Sequence, residues 1–318
     1  MRLGLLTLVS LAVPATAGEF SLISPINCDL NGPCYIQQYV DHDASENASD
    51  FTCSGLSYDG HKGTDFALAT YDMIAQGVNV LASAAGTVAG LRDGMEDVQF
   101  TNENALGIDG RECGNGVVLR HDDGWETQYC HLRKGSIAVT EGQEVTAGEV
   151  LGQVGMSGRA AFPHVHLSVR HDGEVVDPFD PDGTIVCATP ETDTLWASPL
   201  VYRPGGIISV GAAAGIPEFS EIRANTVQLP DPHSDALVIY AFLFGTQKDD
   251  VISLKLSGPE GVVAQSNVVL TRTQAQSFRA VGKKLRDDRW PAGTYHGSAT
   301  LLRKGEVVEH QSMTLSLP

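Results

Sequence analysis

The sequence predicts an all-β chain in two parts, a turn-rich β domain over residues 56–188 and a β-sandwich of immunoglobulin-like type over 189–318. Three observations carry this. Between about residues 56 and 188, short apolar runs recur between Gly-containing turns, as in Gly77-Val78-Asn79-Val80-Leu81 and Gly116-Val117-Val118-Leu119-Arg120. No helical periodicity competes with them. After Pro190 the cysteines stop, and strand-like runs such as Leu237-Val238-Ile239-Tyr240-Ala241-Phe242-Leu243-Phe244 take over.

Residues 1–17 stand apart. Met1-Arg2 precedes the apolar run Leu3–Val13, and Ala15-Thr16-Ala17 supplies the small-x-small pattern of a signal-peptidase site. The run is too short for a bilayer, which needs ~20 apolar residues. Export with cleavage near Ala17, to a periplasmic or secreted location, is the expectation. Residues 18–55 read as an irregular segment stapled by cysteines, with Asn31-Gly32-Pro33 as a turn. Asp41-His42-Asp43-Ala44-Ser45-Glu46 lacks the Gly of a calcium loop and reads as a solvated turn.

In the 56–188 part, residues 92–112 are rich in Asp, Glu, Asn and Gly and read as a long surface loop. Asp122-Asp123-Gly124 marks a hairpin that brings Cys113 close to Cys130. In an exported chain the six cysteines read as disulfides, and beyond Cys113–Cys130 their pairing stays open. In the last part Ile252, Leu254 and Leu256 alternate with polar residues, and Leu301–Val308 reads as a hairpin. About 300 mature residues suit two domains, and the later strands fit a sandwich.

The formal charge of -18 is concentrated at the front: residues 1–189 hold 9 Lys and Arg against 26 Asp and Glu. Such an acidic unit repels phosphate backbones, which makes nucleic acid a poor partner. No later segment is apolar enough to span a membrane.

Only ten histidines occur, and four fall in three short strings: His61-Lys62-Gly63-Thr64-Asp65, Tyr129-Cys130-His131 and His164-Val165-His166. In the last, alternation puts Val165, Leu167 and Val169 on a core face and His164, His166, Ser168 and Arg170 on the other. Along Trp125–His131, alternation groups Trp125, Thr127, Tyr129 and His131 and turns Cys130 away. That reading sets His131 toward the groove, removes a Cys–His dyad and frees Cys130 for its disulfide. His61 and Asp65 read as a turn entering a strand. Neutral imidazoles with one carboxylate suit zinc, and three protein ligands with an open position is the catalytic arrangement. His233, His296 and His310 are isolated and read as surface or packing residues. Gly155-Met156-Ser157-Gly158 lacks nucleophile-elbow spacing and reads as a tight turn.

These three ordered motifs resemble the M23 (LytM/lysostaphin-type) zinc metallopeptidases over about residues 56–182. The Gly-turn text Gly142-Gln143-Glu144-Val145-Thr146-Ala147-Gly148 agrees with that family's β core. The resemblance implies an antiparallel sheet, zinc held by His61, Asp65 and His166, and a catalytic pair His131 and His164. It also implies an endopeptidase acting on the peptide cross-links of bacterial peptidoglycan, with Tyr58 a candidate groove tyrosine. Two features depart from the family: Cys130 replaces the small residue before the catalytic His, and the 92–112 loop is longer, which bears on substrate choice. The alternatives are a closed structural zinc site, against which the two extra histidines count, and a non-enzymatic regulator of other wall hydrolases on the same scaffold.

Overall fold

The computed structural model describes residues 20–184, 187 and 193–318, so the leader read at residues 1–17 lies outside the described residues. Ten strands build the first part: β1 (Cys34–Gln38), β2 (Thr64–Leu68), β3 (Asn79–Leu81), β4 (Gly86–Arg92), β5 (Asn115–Arg120), β6 (Trp125–Leu132), β7 (Glu144–Val145), β8 (Val150–Gln153), β9 (His164–His171) and β10 (Glu174–Val176). Eight of them form one antiparallel sheet in the order β1-β2-β9-β6-β5-β4-β7, with β10 also paired to β9, while β3 and β8 pair separately. One short helix, α1 (Asp72–Gln76), follows β2.

Alternation decides which face of β9 is buried. Val165, Leu167 and Val169 are almost wholly buried in a core with Phe66, Val117, Leu119, Tyr129 and Leu132. Burying each such aliphatic side chain stabilises the sheet by roughly 1.5–3 kcal/mol. The opposite face of β9 is polar and lines a groove. Its neighbours are set by register: Asp65 of β2 and Cys130 of β6 lie on either side of His166.

The segment before residue 56 is less irregular than its sequence reads. Cys34–Gln38 forms the edge strand β1 on β2, and Leu22, Ile26, Tyr39 and Phe51 join the same core. The apolar partner strand and the Cys28–Cys34 disulfide order it despite its Gln-Gln end. The other disulfides are Cys53–Cys187 and Cys113–Cys130.

Beyond residue 200 lie β11 (Gly206–Ala213), a short helix α2 (Phe219–Ala224), β12 (Ala236–Thr246), β13 (Val251–Gly258), β14 (Gly261–Val269), β15 (Gln274–Lys284), β16 (Gly293–Arg303) and β17 (Glu306–Leu317). Sheets β11-β12-β15 and β14-β13-β16-β17 enclose a second core around Leu237, Ile239, Leu243, Ile252, Leu254, Leu256 and Leu301. The β16–β17 hairpin turns through Lys304 and Gly305, both with positive φ, as a two-residue turn demands. The fourth strand in order, β14, pairs with the third, β13, whereas in a constant-type immunoglobulin sheet it joins the first, second and fifth. A third, small cluster of Tyr35, Ala67 and Phe244, with Phe162 and Ile208, joins the sandwich to the groove-bearing sheet. No helix among the described residues is long and apolar enough to cross a membrane.

Candidate active site

The turn into β2 and the polar face of β9 bring three donor atoms together. His61 Nε2 lies 3.2 Å from Asp65 Oδ1 and 3.2 Å from His166 Nδ1, and His166 Nδ1 lies 2.9 Å from Asp65 Oδ1. All three atoms fall within 4.8 Å of one another. The turn is tied to β9 by Ser168 Oγ, which donates to the Lys62 carbonyl at 2.7 Å.

His61 is oriented from outside the turn: its Nδ1 sits 2.6 Å from the Tyr39 carbonyl, just past β1. A carbonyl only accepts, so Nδ1 carries the proton, and in the neutral ring it is Nε2 that presents a lone pair to the cluster. His131 and His164 repeat this arrangement. His131 Nδ1 donates to the Ser157 carbonyl at 2.8 Å, and His164 Nδ1 donates to the Phe162 carbonyl at 2.8 Å. Their rings are 4.6 Å apart, and His164 Nε2 lies 3.6 Å from Asp65 Oδ1. All five residues line one groove of about 620 Å³.

Strand alternation puts Cys130 on the wrong face and fails at His131. Thr127 and Tyr129 face the core, where the Tyr129 hydroxyl accepts from the Ser83 N–H at 2.7 Å. Gln128 and Cys130 therefore line the groove, and strict alternation would send His131 into the core with Tyr129. Instead His131 adopts φ 65°, which breaks the period and turns the ring out beside Cys130. The hydrogen bond from His131 N–H to the Cys113 carbonyl (2.8 Å) and the Cys113–Cys130 bond hold that bend. The disulfide is thus part of the groove wall and not on the far face.

Electrostatics favour a cation among the donors. Asp65 is 2% exposed, and the groups within ion-pair range of it are His61, His164 and His166, with no Lys or Arg among the described residues. Burial alone would raise its carboxyl, but the charges of His61 and His164 and the hydrogen bonds from His166 and His61 hold it well below the usual carboxylate range. Burial pulls His61 down, yet Asp65, the Tyr39 carbonyl and Asp41 leave it raised. His131 is held well below the ordinary imidazole value by burial and then by His164 and His166. Burial likewise lowers His164, against the pull of Asp65. A buried carboxylate facing two ring nitrogens is the donor set of a divalent zinc-type site, so the residues fit that group.

The rim holds Tyr58, the candidate groove tyrosine, and further residues that the motifs do not flag. Tyr58 stacks on His61 with ring centroids 4.4 Å apart. The 92–112 loop places Phe100 on the rim, where the Arg159 guanidinium lies 5.3 Å from its ring. Arg170 is paired with Glu126 at 2.5 Å. Ser157 proves to be a structural bracket. Its hydroxyl donates to the Leu132 carbonyl (2.8 Å) and accepts from Asn115 N–H (2.9 Å), fixing the carbonyl that orients His131. Carbonyls of Tyr39, Ser157 and Phe162 leave no sequence signal, because every residue has one.

The polar face of the antiparallel sheet thus joins a His-Asp-His cluster to two further imidazoles. Residues 59–178 match the model of peptidase family M23, and this part of the chain is a domain of that family. The chain is 35% identical over 133 residues to the DD-carboxypeptidase/endopeptidase Mpg of Neisseria meningitidis serogroup B, covering 41% of this chain and 24% of that one. It is 29% identical over 133 residues to the peptidoglycan DD-endopeptidase ShyA of Vibrio cholerae, covering 42% and 25% respectively. A solved zinc-containing peptidase from Vibrio cholerae is 24% identical, covers 44% of this chain and 38% of its own, and superposes with a TM-score of 0.29. The chain thus spans about a quarter of the length of the curated relatives it matches.

Proposed function

We infer that the chain is an exported zinc metalloendopeptidase that hydrolyses peptide cross-links of bacterial peptidoglycan. The observation that carries this reading is the pairing of a three-donor cluster with two more imidazoles whose Nδ1–H bonds leave Nε2 as the proton-accepting nitrogen. A closed structural zinc site needs four protein ligands and has no use for the spare pair. A non-enzymatic regulator has no use for them either.

His61 Nε2, Asp65 Oδ1 and His166 Nδ1 would hold the zinc. A zinc ion in such a site polarises a carbonyl and makes a water proton easier to remove. His131 and His164, kept neutral by burial, accept that proton at Nε2 and return it to the leaving amine. Their Nδ1–H bonds to fixed carbonyls keep both rings in the tautomer this requires. In this reading the groove lined by the five residues takes the substrate peptide. The relatives named for peptidoglycan hydrolysis support the substrate class. Residues 189–318 form, in this reading, a separate sandwich domain, and the leader at 1–17 directs export.

Metal analysis of the purified protein, together with fragment analysis of defined cross-linked muropeptides, tests the proposal. One zinc per chain and cleavage of the cross-link are expected. A zinc-loaded protein without turnover overturns the enzyme reading.

A further inference from the structure

The sandwich touches the groove wall next to His164. From α2, the Arg223 guanidinium donates through Nη2 to the carbonyl of Ala161, a residue that lines the groove. The Tyr71 hydroxyl reaches the same oxygen at 3.4 Å, and Arg223 lies 4.7 Å over the Tyr71 ring. The Arg223 carbonyl accepts the Tyr71 N–H at 2.8 Å, which closes the link in both directions.

The next residue, Phe162, grips His164 twice. Its carbonyl accepts the Nδ1–H at 2.8 Å, and its ring stacks on the imidazole at 4.4 Å and 27°. The Phe162 ring in turn packs into the small cluster with Tyr35, Ala67 and Phe244, and Phe244 belongs to the sandwich. Both grips on His164 therefore depend on a residue fixed from the sandwich side. His131 differs, since its carbonyl anchor Ser157 is bracketed by Asn115 and Leu132 within the groove sheet.

We propose that Arg223 is a positioning residue: through Ala161 and Phe162 the sandwich sets the orientation of the His164 imidazole and so the rate of peptide hydrolysis. The inference rests on the catalytic reading of His164. Arginine suits the place because its planar fork bonds a carbonyl while its face lies on an aromatic ring, which lysine does only in part.

The test uses the full-length, zinc-loaded protein with cross-linked muropeptides as substrate. In Arg223→Ala, kcat falls roughly ten-fold or more with KM within about two-fold, as expected of a misplaced catalytic group. Arg223→Lys, which keeps a carbonyl donor, recovers part of the loss. Asn225→Ala removes the neighbouring bond to Asp72 but nothing on Ala161, and leaves kcat unchanged. Independently of turnover, the imidazole NMR signals of His164 shift in Arg223→Ala while those of His131 do not. Unchanged kcat in a folded Arg223→Ala protein overturns the proposal, as do equal shifts of both histidines. Should Arg223→Ala fail to fold, the Lys variant with wild-type kcat and an unmoved His164 signal overturns it too. A wild-type protein inert on every cross-link defeats the peptidase reading instead, and the NMR comparison still decides the positioning claim.

Discussion

A Cβ on Gly63 would lie 2.5 Å from His166 Nε2 and 2.6 Å from the Leu167 carbonyl oxygen. The glycine between His61 and Asp65 is thus a matter of space: the His166 ring occupies the position a side chain would take. Gly63→Ala must push either the ring or the β9 backbone, neither of which is the free end of a flexible chain. Zinc affinity in this variant is expected to fall roughly 10- to 100-fold, the range seen when a ligand loses its support. Competition with a chromophoric chelator reads the change, and wild-type affinity would show that the site absorbs the methyl group.

The five site residues should separate into two classes on substitution. His166→Ala removes a donor from the three-atom cluster and is expected to abolish both zinc binding and hydrolysis. His131→Ala keeps all three donors and should retain zinc while turnover drops on the order of 10²- to 10⁴-fold, the usual contribution of a general acid or base. Hydrolysis at the wild-type rate by His131→Ala would remove His131 from the chemistry.

How much of this could be read beforehand follows from local rules. The polar face of β9 was legible because Val165, Leu167 and Val169 alternate with His164, His166 and Ser168, and period two holds along that strand. The Cys113–Cys130 bond was legible because a hairpin at Asp122–Gly124 brings its strands together. The orientation of Cys130 and His131 was not. A non-glycine residue at φ 65° and a register shift between Asn115 and Val117 leave no mark in composition or period. The strand Cys34–Gln38 was missed because its pairing comes from a distant apolar strand and not from its own five residues. The contact of Arg223 with Ala161 spans 62 residues and involves a backbone oxygen, so no motif could announce it.

The disulfide in the groove wall has a cost attached to its removal. Cys113 and Cys130 are 17 residues apart, and a loop of that size contributes roughly 3 kcal/mol through the unfolded chain. The Cys113→Ser/Cys130→Ser protein should unfold at lower denaturant by an amount close to that. Because the Cys113 carbonyl also holds the His131 N–H, turnover should drop roughly 10- to 100-fold, as for a small misplacement of a reacting group. Zinc content stays at the wild-type level, since neither sulfur is among the clustered donors. Equal kcat in the two proteins would show that the bend at His131 stands without the bond.

Away from the groove, His42 ties the segment after β1 to the turn after β10. Its Nε2 lies 2.8 Å from Asp177 Oδ2, and its Nδ1 lies 3.7 Å from Asp180 Oδ2. Burial lowers this imidazole, but the Asp177 hydrogen bond and the charges of Asp177, Asp180 and Asp41 outweigh it and leave it raised. A raised histidine favours the fold when protonated. Its contribution is complete below the unfolded value of about 6.5 and is lost as pH rises through the higher folded value. Asp180 is raised by burial, so its own contribution is complete below the ordinary aspartate value of about 3.9 and is lost as pH rises through its higher folded value. His131 and His164 are lowered and act in the opposite sense, which makes the wild-type curve alone ambiguous. The difference between wild type and His42→Gln, both saturated with zinc, isolates the pair. Denaturant midpoints should differ most near pH 6 and converge by about pH 9, where His42 is neutral in both states. Parallel curves across that window would mean that the His42 charge contributes nothing to holding these segments together.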